Sequence, residues 1–325
     1  MNDATGIARR VAALRRIEGD RRSEMPPAPR SAKIELDSGC NLACTFCTRT
    51  LRPRTPARMS SDVFRRIVVE LRAAGVDQLG LFYMNEPFLV DELAEAIRWV
   101  KQEAGVPYVF LTTNGVAARE APVLACIEAG LDSLKFALNF ADARQLASAT
   151  HAQVSLDAIV DNVRAARRVR DAVKRASGHE CRLSASSLDF DAGQRARMAP
   201  LLEVIAELVD EHYWLPHFGR SDLAPVDGVG SASTAIACKP SPCWTLFTEA
   251  HVRADGRLSA CCLDASDRFV MADLNESSFA SAWHSEPFRA LRSAHLRGDL
   301  AGTACEHCIA FDDSTAVPTA EEFVR

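Results

Sequence analysis

No stretch of the 325-residue chain approaches the roughly 18 consecutive apolar positions that span a bilayer. The N-terminus also lacks the continuous apolar segment of a secretion signal. Positive charge is not in excess: 38 Lys and Arg face 43 Asp and Glu, for a net charge of −5. That balance gives no electrostatic case for a nucleic-acid partner. The early arginines (Arg9, Arg10, Arg15, Arg16, Arg21, Arg22) are interrupted by Glu18 and Asp20. There is no internal repeat. These absences lead us to expect a cytoplasmic protein with neither a membrane nor a nucleic acid as partner.

Cysteine, by contrast, is plentiful, and its distribution is uneven. Of the 11 cysteines, nine fall in two groups, at 40–47 and 238–308. An odd, clustered set in a reducing compartment argues for metal rather than for a disulfide framework. The two outliers, Cys126 and Cys181, read as ordinary buried residues.

Between 31 and 218 short apolar runs alternate with amphipathic segments. Strand candidates are KIEL (33–36), QLGLFYM (78–84), YVFLTTN (108–114), SLKFAL (133–138), CRLSAS (181–186) and HYWLPHF (212–218). The helical segments between them start at serines (Ser61, Ser155) and stop at glycines (Gly75, Gly105, Gly130, Gly178). Six such units predict an α/β fold with parallel strands, a partial (β/α)6 TIM-like barrel, with chemistry at the carboxyl ends of the strands. Residues 1–30 form an N-terminal helical extension in this scheme. Residues 219–242, rich in Gly, Ser, Ala and Pro, read as a linker. Residues 243–325 form a second unit and tail, opening with a hairpin that turns at Asp255-Gly256 and followed by an amphipathic stretch, 277–298.

The segment GCNLACTFC places Cys40, Cys44 and Cys47 directly after the first strand candidate. Three thiolates can hold three irons of a [4Fe–4S] cube and leave the fourth iron open. A structural zinc site would want a fourth ligand nearby, yet no His or Cys occurs between Cys47 and Cys126. The Cys-x3-Cys-x2-Cys spacing, the aromatic Phe46 and the six strand–helix units resemble the radical S-adenosylmethionine (SAM) superfamily. The resemblance implies that the open iron binds the methionine moiety of SAM, whose reductive cleavage gives a 5′-deoxyadenosyl radical. It implies an external one-electron reductant such as flavodoxin or ferredoxin. It also assigns Glu86 in MNEPFL to the SAM amino group, although Met84-Asn85 stand where two glycines are usual. Asn114, Asn139 and Ser184 fall at ribose or carboxylate contacts, and Phe46 near the adenine.

Cys243, Cys261, Cys305 and Cys308 could saturate a second [4Fe–4S] cluster, with zinc as the structural alternative. The Cys-x12-Gly-x4-Cys pattern and the final Cys-x2-Cys resemble the SPASM/twitch extension of that superfamily, which favours iron–sulfur. With no cysteine after Cys308, the resemblance is to the shorter twitch form carrying one auxiliary cluster. Cys262 adjoins a ligand candidate and could replace it.

What reaction follows is read from this second cluster, which can accept an electron. The resemblance extends to enzymes that oxidise 2-deoxy-scyllo-inosamine and that epimerise neomycin. Dehydrogenation of a carbinol carbon in a sugar or aminocyclitol is the first expectation. Epimerisation with Cys262 or Cys238 as hydrogen donor is the second. Peptide maturation is a third, disfavoured because only about 30 residues precede the first strand, too few for a binding module. An iron–sulfur electron carrier would have no use for a three-thiol site. His217, Tyr83 and Asp264 are the candidates for contacting substrate hydroxyls or taking a proton.

Overall fold

A computed structural model of the chain describes residues 6–50, 54–216, 242–264 and 267–306. Six parallel strands follow one another: β1 (Ser31–Ile34), β2 (Gln78–Gly80), β3 (Tyr108–Thr113), β4 (Ser133–Ala137), β5 (Arg182–Asp189) and β6 (Glu211–Pro216). Three more, β7 (Glu249–Val252), β8 (Arg257–Ser259) and β9 (Val270–Asp273), complete one nine-stranded sheet. Its order is β6-β5-β4-β3-β2-β1-β7-β8-β9, so it does not close into a full barrel.

The expected C-terminal hairpin is present and turns at Asp255-Gly256, where Gly256 has φ +83°. It does not stand apart from the barrel. β7 pairs in parallel with β1, Ser31 opposite Glu249 and Lys33 opposite His251, and β8 and β9 then run antiparallel beyond it. The buried Glu35 carboxylate adds a clamp. It accepts from Arg54 Nη2 at 2.7 Å, from Met84 N at 3.3 Å and from Ala254 N at 3.1 Å.

Strand alternation sorts the two faces of the sheet. Ala32, Ile34, Leu79, Val109, Leu111, Leu134, Phe136, Leu183 and Ala185 are fully buried on the helix-covered face. Lys33, Phe110, Lys135, Ser184 and Tyr213 lie on the inner face. Helices Ser61–Ala73, Leu93–Gln102, Glu120–Glu128 and Leu156–Ser177 supply the cover, with Ile67, Leu71, Ile97, Ile127 and Val163 buried.

Several boundaries differ from expectation. The first long helix is capped by Ser60, whose side chain accepts from Val63 N, rather than by Ser61. β2 ends at Gly80: Leu81 N still donates to Phe110 O at 3.3 Å, but beyond it Asn85 Oδ1 takes the Tyr83 N–H. The amphipathic stretch near the C-terminus divides into helices Phe279–Trp283 and Glu286–Arg297, the second with proline in its first turn. Cys126 and Cys181 are buried as expected. The N-terminal helix Ile7–Leu14 meets the amino ends of the strands: Ile7 N donates to Glu211 Oε2 at 2.8 Å, and the Arg10 guanidinium stacks 3.1 Å from the Tyr108 ring centre. Among the described residues no helix is long and apolar enough to cross a membrane.

Candidate active site

The loop that carries Cys40, Cys44 and Cys47 leaves β1 at the carboxyl edge of the sheet. Its shape is set by backbone bonds: Cys47 N donates to Cys44 O at 3.0 Å and Thr45 N to Ala149 O at 2.7 Å. Thr50 Oγ1 then donates to Cys44 O and Cys47 O at 2.9 and 2.8 Å. All three thiols are half-buried. Burial pushes the Cys44 thiol up to about 12, and the neighbouring Cys47 and Cys40 add to the rise. Burial raises Cys40 as well. Packed thiols resisting ionisation are a donor set that a cation relieves, since metal binding replaces the protons. Among the described residues no three His, Cys, Asp or Glu side chains converge on a point for one ion. An iron–sulfur cube takes one cysteine per iron, and three thiols on one short loop suit such a group.

Glu86 ties that loop to the neighbouring strand ends. Its N–H donates to Gly39 O at 2.9 Å. Its carboxylate accepts from Thr113 Oγ1 at 2.7 Å, Asn114 N at 2.8 Å and Phe88 N at 3.2 Å. Burial pushes Glu86 up to about 7, against the pull of those three donors. The Asn114 amide donates to Asn41 Oδ1 at 2.7 Å and lies 3.9 Å from Cys40 Sγ. Phe46 packs against Phe190 and Phe140, with ring centres 5.2 and 6.1 Å apart. Asn139 is half-buried and accepts from Gln194 Nε2 through its carbonyl at 3.2 Å. Ser184 is buried on β5, its hydroxyl without a hydrogen-bond partner.

The second group of cysteines sits on the hairpin that continues the same sheet. Cys261 lies in the turn after β8, and its sulfur accepts from Leu263 N at 3.3 Å. Cys243 N donates to His295 Nδ1 at 3.3 Å, and Cys305 is buried. Cys308, Cys238 and His217 lie outside the described residues. The Cys261–Cys262 pair shares a hydrogen bond that holds the Cys261 thiol up and brings Cys262 down to about 6, against the cost of burial. Charge near Cys261 comes from Cys243, and near Cys262 from His251, Lys33 and Glu249. The two adjacent thiols therefore belong to different surroundings.

Tyr83 joins the two halves. Its hydroxyl donates to the Cys261 carbonyl, and its ring packs 5.2 Å from that of His251. Asp264 is buried and accepts from Ser259 Oγ at 3.2 Å. Both side chains therefore take part in holding the hairpin turn, a task that differs from the substrate contact expected of them.

A family model described as the radical SAM superfamily matches residues 34–177, and one described as an iron–sulfur cluster-binding domain, SPASM, matches 243–309. Together they account for most of the chain. It is a radical SAM enzyme with a SPASM domain. That membership brings SAM and a [4Fe–4S] cluster, with auxiliary iron–sulfur at the SPASM domain. Among curated relatives, GTP 3′,8-cyclase of Chlorobaculum tepidum is 30% identical over 36% of this chain and 35% of its own. GTP 3′,8-cyclase 2 of Mycobacterium tuberculosis is 33% identical over 36% and 33%. The radical SAM chain thus spans about a third of the length of the curated relatives it matches. Two solved structures share the fold. BtrN in complex with AdoMet and 2-DOIA has TM-score 0.51 and 17% identity, covering 83% of this chain and 88% of that one. Streptococcus suis SuiB bound to S-adenosylmethionine has TM-score 0.61 and 12% identity, covering 82% and 66%.

The inner-face residues Lys33, Lys135, Tyr213, Glu249 and His251 of this radical SAM enzyme escaped the sequence reading. Their signal was a charged or polar side chain breaking an otherwise apolar strand, as in SLKFAL and EAHV.

Proposed function

We propose that the enzyme dehydrogenates a carbinol carbon of a small polar molecule of the sugar or aminocyclitol class. When bound, SAM and the first cluster would supply a 5′-deoxyadenosyl radical able to abstract the carbinol hydrogen, the auxiliary cluster would accept the remaining electron, and solvent or a basic side chain would take the hydroxyl proton. One observation carries this reading: the Cys261 turn is held against the barrel by Tyr83 and by the β1–β7 pairing, so both cysteine groups serve one sheet. Cys40, Cys44 and Cys47 would hold the first cluster. Cys243, Cys261, Cys305 and Cys308 would hold the second. Glu86 ties the three-thiol loop to the neighbouring strand ends, and Phe46, Glu86, Asn114 and Asn139 are the proposed SAM contacts. An external one-electron donor, flavodoxin or ferredoxin, is the proposed partner. The likeness of fold to BtrN, whose structure contains AdoMet and 2-DOIA, supports a small-molecule substrate.

A second reading has its own support. Beyond its hydrogen bond with Cys261, Cys262 feels His251, Lys33 and Glu249, which belong to the inner face of the sheet. A thiol so placed suits hydrogen return to a substrate radical, which gives epimerisation.

One experiment tests both. The anaerobically reconstituted enzyme is incubated with SAM, a reductant and candidate cyclitols or aminoglycosides in deuterated water. Two-electron loss without solvent deuterium on the carbon supports oxidation, whereas deuterium at an inverted centre, lost in Cys262→Ala, supports epimerisation. Absence of 5′-deoxyadenosine under all conditions overturns both.

A further inference from the structure

The inner face of the sheet carries a polar cluster that neither cysteine group uses. Lys33 Nζ lies 2.9 Å from Glu249 Oε2, and His251 Nε2 lies 2.9 Å from the same oxygen. Burial would push Lys33 down, but Glu249 more than offsets it. The charge of Lys33 is therefore answered. That of Lys135 is not. Lys135 occupies the middle of β4, half-buried, and among the described residues its ammonium makes no ion pair or hydrogen bond. It meets only the face of the Tyr213 ring, 5.6 Å from the ring centre. Burial and the like charge of Lys33 push it down to about 8, against a smaller pull from the Glu249 carboxylate, which is not in contact with it.

Beside it in register stands Ser184, 1% exposed, its hydroxyl without a partner among the described residues; the next in register, Glu211, accepts from Ile7 N at 2.8 Å. A buried hydroxyl left unpaired costs about 1–3 kcal/mol, and a half-buried ammonium with no counter-ion in contact is open to a charge-assisted bond. Two such groups on neighbouring strands, pointing off the same face, specify what is missing: an acceptor carrying one negative charge. Its place in the barrel is bounded on two sides. The helix Ile7–Leu14 packs across the amino ends of the strands through Arg10 on Tyr108 and Ile7 on Glu211. Lys33, the charge that weighs most on Lys135, lies on the side of the auxiliary turn, where Cys262 feels it.

We propose that Lys135 and Ser184 form an anion-binding subsite for a carboxylate or phosphate substituent of the substrate, an assignment that rests on the carbinol-oxidation reading for calling the guest a substrate. Lys135 supplies the charge and one or more N–H donors, Ser184 an O–H donor, and the Tyr213 ring holds the lysine stem in place.

The test uses the full-length, cluster-reconstituted enzyme with three probes matched in shape: D-glucuronate, D-glucose 6-phosphate and neutral D-glucose. Their binding is measured by calorimetry without reductant, and that of SAM separately. Wild type is expected to bind at least one anionic probe about tenfold or more tightly than glucose. Lys135→Met should abolish that preference while leaving SAM affinity within about twofold. Lys135→Arg should retain most of it, and Ser184→Ala should lower it about threefold. Melting temperature and iron content confirm that each variant is folded and loaded. The proposal is overturned if wild type shows no preference for an anion, if the preference survives in folded Lys135→Met, or if that variant loses SAM binding in the same measure, which would make the anion the SAM carboxylate. Release of 5′-deoxyadenosine with reductant is scored separately: preference without turnover leaves the anion subsite standing and removes the carbinol-oxidation reading.

Discussion

Glu35 is the residue whose loss the structure penalises most clearly. Its side chain is wholly buried, its partner Arg54 is 8% exposed, and the two are 2.7 Å apart. Breaking a buried ion pair from one side strands the other charge and costs about 3–5 kcal/mol. Glu35→Ala also strips the acceptor from Met84 N and Ala254 N. We expect a loss of about 4 kcal/mol, a large part of the roughly 5–15 kcal/mol that holds a typical domain together. Arg54→Met alone should cost about 3 kcal/mol. Glu35→Ala/Arg54→Met should cost less than the two single changes summed, by about 2 kcal/mol or more, because no orphaned charge remains. Urea unfolding followed by circular dichroism, run as a double-mutant cycle, measures this directly. If the single costs simply add within about 0.5 kcal/mol, the pair is uncoupled and the clamp has been misjudged.

Three further outcomes follow from other contacts. Glu249 is buried at a cost, but Lys33 and His251 hold it down to about 2; the unfolded chain takes up that proton below about pH 4.3. The stability gap between wild type and Glu249→Gln should therefore be complete above about pH 5 and shrink as pH falls toward 2, seen as converging urea midpoints. Tyr83→Phe keeps the ring against His251 but frees the Cys261 carbonyl, so amide exchange across 259–264 should quicken while global stability falls by about 1 kcal/mol. Gly256→Ala places a methyl 2.5 Å from the Asn275 amide in a left-handed turn, and the melting temperature should drop by several degrees, equivalent to about 1–2 kcal/mol.

How far the sequence reached depended on the range of the interaction. The six parallel strands were legible because each apolar run is local and punctuated, as at the Ser155 cap and the Gly178 stop. The three-thiol loop was legible for the same reason, nine residues holding all three thiols. Glu86 was found from its motif, but its acceptance from Thr113 and Asn114 was not, since those bonds join segments brought together only by the sheet. For Tyr83 and Asp264 the bonds they make within the hairpin turn were not foreseen, because they join segments brought together only by the fold. The largest omission was the pairing of β7 with β1. Nothing in EAHV announces a parallel partner far upstream, and Lys33 and Lys135 looked like interruptions in strands until that pairing enclosed them.

The order of synthesis gives the β1–β7 pairing a further meaning. β1 is made early and acquires β2 soon afterwards, but its other margin has no mate until Val252 has emerged from the ribosome. Throughout that interval a row of unpaired amides and carbonyls borders the very loop that carries Cys40, Cys44 and Cys47. Exposed strand margins invite contact with other chains, so nascent copies of this enzyme need either dilution or a chaperone until the last third of the polypeptide arrives to seal the seam.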